Sequence, residues 1–133
     1  MSNFRKLRVY DLASELGEKA HNVSVKIQTP FNRDTCKQLR RSSGSIAANI
    51  SEADEHQSAA EKARFLQYSV ASASETENHI KALRDINSMS YEDFEDLYQR
   101  IVAVRRMLRG LIKRVRARIP PKKKPRRKYG GSP

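Results

Sequence analysis

Residues 90–121 read SYEDFEDLYQRIVAVRRMLRGLIKRVRARIPP, and this stretch decides how the rest of the chain is understood. Phe94, Leu97, Ile101, Val104, Leu108, Leu111 and Val115 recur at alternating gaps of three and four. That spacing is a heptad seam along one side of a helix. Ser90 opens the segment, and Asp93, three residues on, suits the positive end of the helix dipole. Pro120-Pro121 stops it.

Toward the N-terminus the same periodicity appears three more times. Leu12, Leu16, Ala20, Val23 and Ile27 mark a first helix over about Phe4–Gln28, closed by Thr29-Pro30. Leu39, Ser43, Ile46, Ile50 and Ala53 mark a second, with Asn32 as its expected N-cap. Ser42, Ser43, Gly44, Ser45, Ala47, Ala48 and Ser51 make its face unusually small, so it is expected to be the most closely approached helix. Gly44 costs up to about 1 kcal/mol of helix propensity, which tight packing must offset. Ser58 and Glu61 read as a capping box for a third helix ending near Asn87. Leu66, Val70, Ala73, Ile80 and Leu83 point inward there, and Glu77 interrupts the stripe. No strand-like alternation occurs.

Four helices of roughly 25 residues, each ~37 Å long, joined by short connections, predict an all-α fold. The arrangement expected is an antiparallel up-down-up-down four-helix bundle over residues 1–119. Residues 120–133 form a basic tail with nothing to bury, expected to be disordered without a partner. At 133 residues and 38% apolar content, a single domain with a thin core fits. No apolar run reaches the ~18 residues of a membrane span, and no signal-like stretch opens the chain. Cys36 is the single cysteine and has no internal disulfide partner, so a cytoplasmic location is expected.

Charge separates along the chain. Residues 1–96 hold thirteen bases and fifteen acids, whereas residues 97–133 hold fourteen bases and no acid. A near-neutral body therefore carries one intensely basic end, which points to a polyanion and to nucleic acid (RNA or DNA) before a membrane. In the antiparallel arrangement Arg5, Lys6 and Arg8 fall beside that end. Arg105, Arg109, Lys113 and Arg116 share one face of the fourth helix, flanked by Arg106, Arg114 and Arg118. Lys122, Lys123, Lys124, Arg126, Arg127 and Lys128 continue the basic run as a phosphate-binding arm. A solvated face is the plainer alternative for the helix, and a nuclear localisation signal for the tail. Like charges four apart cost roughly 0.2–0.5 kcal/mol each, a penalty that phosphates would remove.

Other chemistry has thin support. Arg40, Arg41, Asn49, Glu52, Glu75 and Glu77 are read as a structural polar network fixing helix register, with Arg40 or Arg41 facing Glu77. Glu52–His56 and Glu75–His79 are four apart rather than the three of a di-iron bundle, and paired Cys/His zinc signatures are absent, so no metal or cofactor is expected. Cys36 beside Lys37 has no evident base and reads as a helix-face thiol. Ser43-Gly44-Ser45 lacks phosphate-loop spacing. The chain is expected not to be an enzyme.

Some of these residues also form a pattern met elsewhere. Phe4-x-x-Leu7-x-Val9-Tyr10-x-x-Ala13, Leu39-Arg40-Arg41-Ser42-x-x-Ser45-Ile46-x-x-Asn49-Ile50-x-Glu52, and Phe65-Leu66 with Ser72-x-x-Glu75 resemble the bacterial four helix bundle protein family. That family includes proteins encoded in intervening sequences of large-subunit ribosomal RNA genes. It is related to accessory variability proteins of diversity-generating retroelements, which partner a reverse transcriptase. The resemblance spans about residues 4–115 and implies a homopentameric barrel of bundles that binds RNA or DNA. Ala53 and Ala71 stand where the family commonly has Gly. The function expected is phosphate-directed nucleic-acid binding; the alternatives are a scaffold for a reverse transcriptase and an oligomer with no polyanion role.

Overall fold

A computed structural model describes residues 3–121, with side chains from Leu7 onward. Four helices follow one another: α1 (Asn3–Ile27), α2 (Arg33–Glu55), α3 (Ala59–Asp85) and α4 (Tyr91–Arg116). Among the described residues there is no strand. Each helix packs on its neighbours in sequence, and α1 packs on α4 to close a four-helix bundle. Across α1 and α4 the paired numbers run in opposite directions: Lys26 with Asp93, Lys19 with Asp96, Glu15 with Arg100.

Local chemistry sets the helix ends. Ser58 Oγ accepts from the Glu61 amide at 3.1 Å, and Ser90 Oγ from the Asp93 amide at 3.1 Å, which satisfies two otherwise orphaned donors. Asn32 occupies the N-cap position of α2 but makes no side-chain cap bond. Its Nδ2 instead donates to the Ile27 carbonyl at 3.0 Å and its Oδ1 accepts from the Thr29 amide at 2.7 Å, sealing the end of α1. At the far end of α3 Asn87 adopts a positive φ of 59°, a conformation Asn tolerates, and the Ser88 and Met89 amides both donate back to the Leu83 carbonyl.

The α4 seam is buried from Leu97 to Val115, with Phe94 partly covered. The other stripes are rotated slightly from expectation. In α1 Val9, Ala13, Leu16, Ala20 and Val23 are buried, leaving Leu12 and Ile27 at the edge. In α3 the inward face runs through Leu66, Ser69, Ala73, Thr76, Ile80 and Leu83, so Val70 and Glu77 lie beside the core rather than in it. Hydroxyls fill those two inward positions because α2 offers them partners. Ser69 donates to the Ile46 carbonyl at 2.8 Å, Thr76 meets the Ser42 hydroxyl at 3.0 Å, and Ser45 meets Ser72 at 2.7 Å. Here too the numbers rise on one helix as they fall on the other.

The small face of α2 is approached by α1 at Ser43 and Gly44, whose Cα would lie 3.9 Å from a Cβ on Gly17, although Gly44 is itself exposed and has nothing within 4 Å of where its own Cβ would stand. A Cβ on Gly17 of α1 would sit 3.4 Å from the Ser43 carbonyl oxygen, in van der Waals contact. Ala53 lies buried inside α2, which continues to Glu55.

Candidate nucleic-acid interface

Turning Leu108, Leu111, Ile112 and Val115 into the core leaves the bases of the last turns of α4 at its rims. Arg109, Lys113 and Arg116 share a groove of about 430 Å³ with Gln67 and Val70 of α3, floored by Ile112. Three cations around one groove, with the Gln67 amide beside them, are groups able to meet a phosphate chain. Arg106, Arg114 and Arg118 are exposed, as is Arg8 near the start of α1. Lys122, Lys123, Lys124, Arg126, Arg127 and Lys128 lie outside the described residues, as do the side chains of Arg5 and Lys6.

Arg105 departs from this set. Its guanidinium is 2.7 Å from Glu77 Oε1 and donates to Ser74 Oγ at 3.3 Å, with only 18% of the side chain exposed. Lys81 meets the other Glu77 oxygen at 2.6 Å. The hydrogen bonds from Lys81 and Arg105 hold the Glu77 carboxyl below its ordinary range, outweighing burial. Glu77 thus interrupts the apolar stripe of α3 because it faces α4, not α2, and its partner is neither Arg40 nor Arg41.

The six residues read as one polar network are dispersed. Arg40 donates to Gln28 at 2.9 Å and Ser24 at 3.1 Å, tying α2 to α1. Asn49 donates to the Ser45 carbonyl within α2. Glu52 lies 3.5 Å from His56, and Glu75 and Arg41 are exposed. The polar contacts that register α2 on α3 come instead from Ser42, Ser45, Ser69, Ser72 and Thr76, whose short side chains fit where helices are close. Cys36 is not on an open face: it is fully buried, its thiol donates to Asn32 Oδ1 at 3.5 Å, and burial pushes its pKa up despite Arg40. Such a thiol is a poor nucleophile.

One group of side chains was not foreseeable as a cluster from the stripes. At the turn from α2 to α3 the rings of His56 and Phe65 stack with centroids 4.7 Å apart, and Phe65 meets Tyr68 edge-on at 5.4 Å. The Arg64 guanidinium stands 5.2 Å from the Phe65 centroid and 5.8 Å from that of Tyr68. Arg64-Phe65-x-x-Tyr68, at helical spacings of three and four, is the signal the sequence carries; His56 joins only through the fold.

Among the described residues no helix is long and apolar enough to cross a membrane. A family model for the 23S rRNA-intervening sequence protein matches residues 5–110. A solved structure from Bacteroides thetaiotaomicron, a protein of unknown function from the S23 ribosomal protein family, is similar with a TM-score of 0.75. It shares 25% identity, and the match covers 83% of this chain and 99% of that one. No curated protein matches the chain.

Proposed function

Because this chain belongs to the 23S rRNA-intervening sequence protein family, we propose that it is a non-enzymatic nucleic-acid-binding bundle that grips phosphates along the α3/α4 groove. The observation that carries this reading is the gathering of Arg109, Lys113 and Arg116 in one groove, on a chain with no acid after Asp96. Their mutual repulsion serves no packing purpose, and a phosphate chain relieves it while releasing counterions. The ribosomal RNA in the family's name makes RNA the first target to test, with DNA of the same sequence beside it. Assembly as a homopentamer, which the family resemblance implies, would raise the avidity of weak contacts by about 10²–10⁴.

The test is binding of labelled RNA across a potassium chloride series, with unaltered protein and an Arg109→Gln/Lys113→Gln/Arg116→Gln variant. Removing one phosphate-binding cation flattens the logarithmic salt slope by about 1, so the slope of the triple variant should fall by up to about 3. Arg105→Gln should leave the slope unchanged, since its guanidinium is taken by Glu77. Unaltered protein that ignores both RNA and DNA at low salt would exclude the proposal.

A further inference from the structure

The three cations of the α3/α4 groove can meet phosphates, but none of them can tell ribose from deoxyribose. Arg109, Lys113 and Arg116 carry N–H donors and no acceptor. Val70 and Ile112 offer only apolar surface, which leaves Gln67 as the one neutral polar side chain lining the groove. Its amide holds both a carbonyl acceptor and an NH2 donor. Gln67 is half-buried, and among the described residues its amide has no hydrogen-bond partner. Gln67, Val70, Ser74, Glu77 and Lys81 follow one another at gaps of three and four, the line of α3 that faces α4. Farther along that line the acceptors are committed: Ser74 Oγ takes a bond from Arg105 at 3.3 Å, and Glu77 is held by Arg105 and Lys81. Gln67 is the acceptor left open beside the groove cations.

An RNA backbone carries one group that DNA lacks, a 2′-hydroxyl next to each phosphate, which both donates and accepts. Reading its proton takes an acceptor placed among the cations that hold the backbone. We infer that Gln67 is the residue by which the groove distinguishes RNA from DNA. Its carbonyl accepts from a 2′-hydroxyl while Arg109, Lys113 and Arg116 hold the neighbouring phosphates. The inference rests on the phosphate-binding reading and narrows it, since the cations alone bind either nucleic acid. The amide carries no charge, so it adds a preference for ribose without adding to the salt dependence.

The experiment uses labelled single strands of one mixed sequence, prepared as RNA, as DNA and as 2′-O-methyl RNA, in which a methyl group replaces the hydroxyl proton. Each is titrated with unaltered protein, Gln67→Leu and Gln67→Met across a potassium chloride series, after thermal melts show both variants folded. Unaltered protein should bind RNA roughly 3- to 10-fold tighter than either other strand, the worth of one hydrogen bond. Both variants should lose that margin on RNA while keeping DNA affinity within about twofold and the salt slope unchanged, because the phosphate contacts remain. Unaltered protein that binds RNA no better than DNA or 2′-O-methyl RNA, or a margin that survives in both variants, would overturn the role of Gln67 and leave the groove standing. Equal losses on RNA and DNA would do the same, since they would place Gln67 in the packing or the phosphate contact. Unaltered protein that binds no strand at low salt overturns both readings.

Discussion

Arg105 and Arg109 lie one helical turn apart, yet their guanidinium groups meet opposite surroundings. Arg105 reaches across to a carboxylate on α3, whereas Arg109 borders a groove lined by Gln67 and Val70. Their neighbours in sequence do not distinguish them; the residue facing each on α3 does. Glycine positions divide in the same way. Gly17 is held against the Ser43 carbonyl, while Gly44 faces open space within a regular helix. Gly44→Ala should therefore stabilise the protein by about 0.5–1 kcal/mol, because Ala loses less backbone entropy and meets nothing. A thermal melt should register a rise of about 2–5 °C; a fall would mean that Gly44 is covered.

At the scale of elements, α3 is fastened differently on its two sides. Toward α2 it offers hydroxyls, whose bonds span only a short gap: Ser69 to Ile46, Ser72 to Ser45 and Thr76 to Ser42. Toward α4 it offers Glu77, held by Arg105 and Lys81. Glu77 has a folded pKa below its ordinary 4.5. Its contribution is thus fully present above about pH 4.5 and fades as pH falls through the lower, folded value. Glu77→Gln should lower stability near pH 7 by about 1 kcal/mol, a modest figure because solvent screens the pair. The gap between variant and unaltered protein should close in denaturant titrations repeated toward pH 3. A constant gap would show that the carboxylate charge is not what joins α3 to α4.

Across the whole molecule, charge is divided unevenly along the chain. Two acids in the first half of α4 meet bases on α1, Asp93 with Lys26 at 2.6 Å and Asp96 with Lys19 at 3.5 Å. Beyond Asp96 the chain carries no further acid, and Arg105 is balanced only by reaching Glu77 of α3. Deleting residues 122–133 removes six bases and should weaken nucleic-acid binding and flatten its salt dependence beyond what the groove variant does alone. Filter binding at two ionic strengths, with the thermal midpoint as control, measures this. If the deletion leaves affinity intact, the groove acts without the tail.

The four helices were legible because periodicity, caps and breakers are properties of residues near one another in sequence. Ser58, Ser90 and the Phe94–Val115 seam needed no tertiary information. The division between a balanced body and a basic end was equally plain, since counting charges requires no coordinates. What the tertiary structure alone decided was rotation. Successive residues on a helix are about 100° apart, so a small turn about the axis exchanges core for rim. That turn moved Val70 and Glu77 out of the α3 stripe, brought Ser69 and Thr76 in, withdrew Arg105 from the open bases and set His56 against Phe65. It is settled by how side chains of different helices fit together, a relation between residues distant in sequence that no single stripe contains.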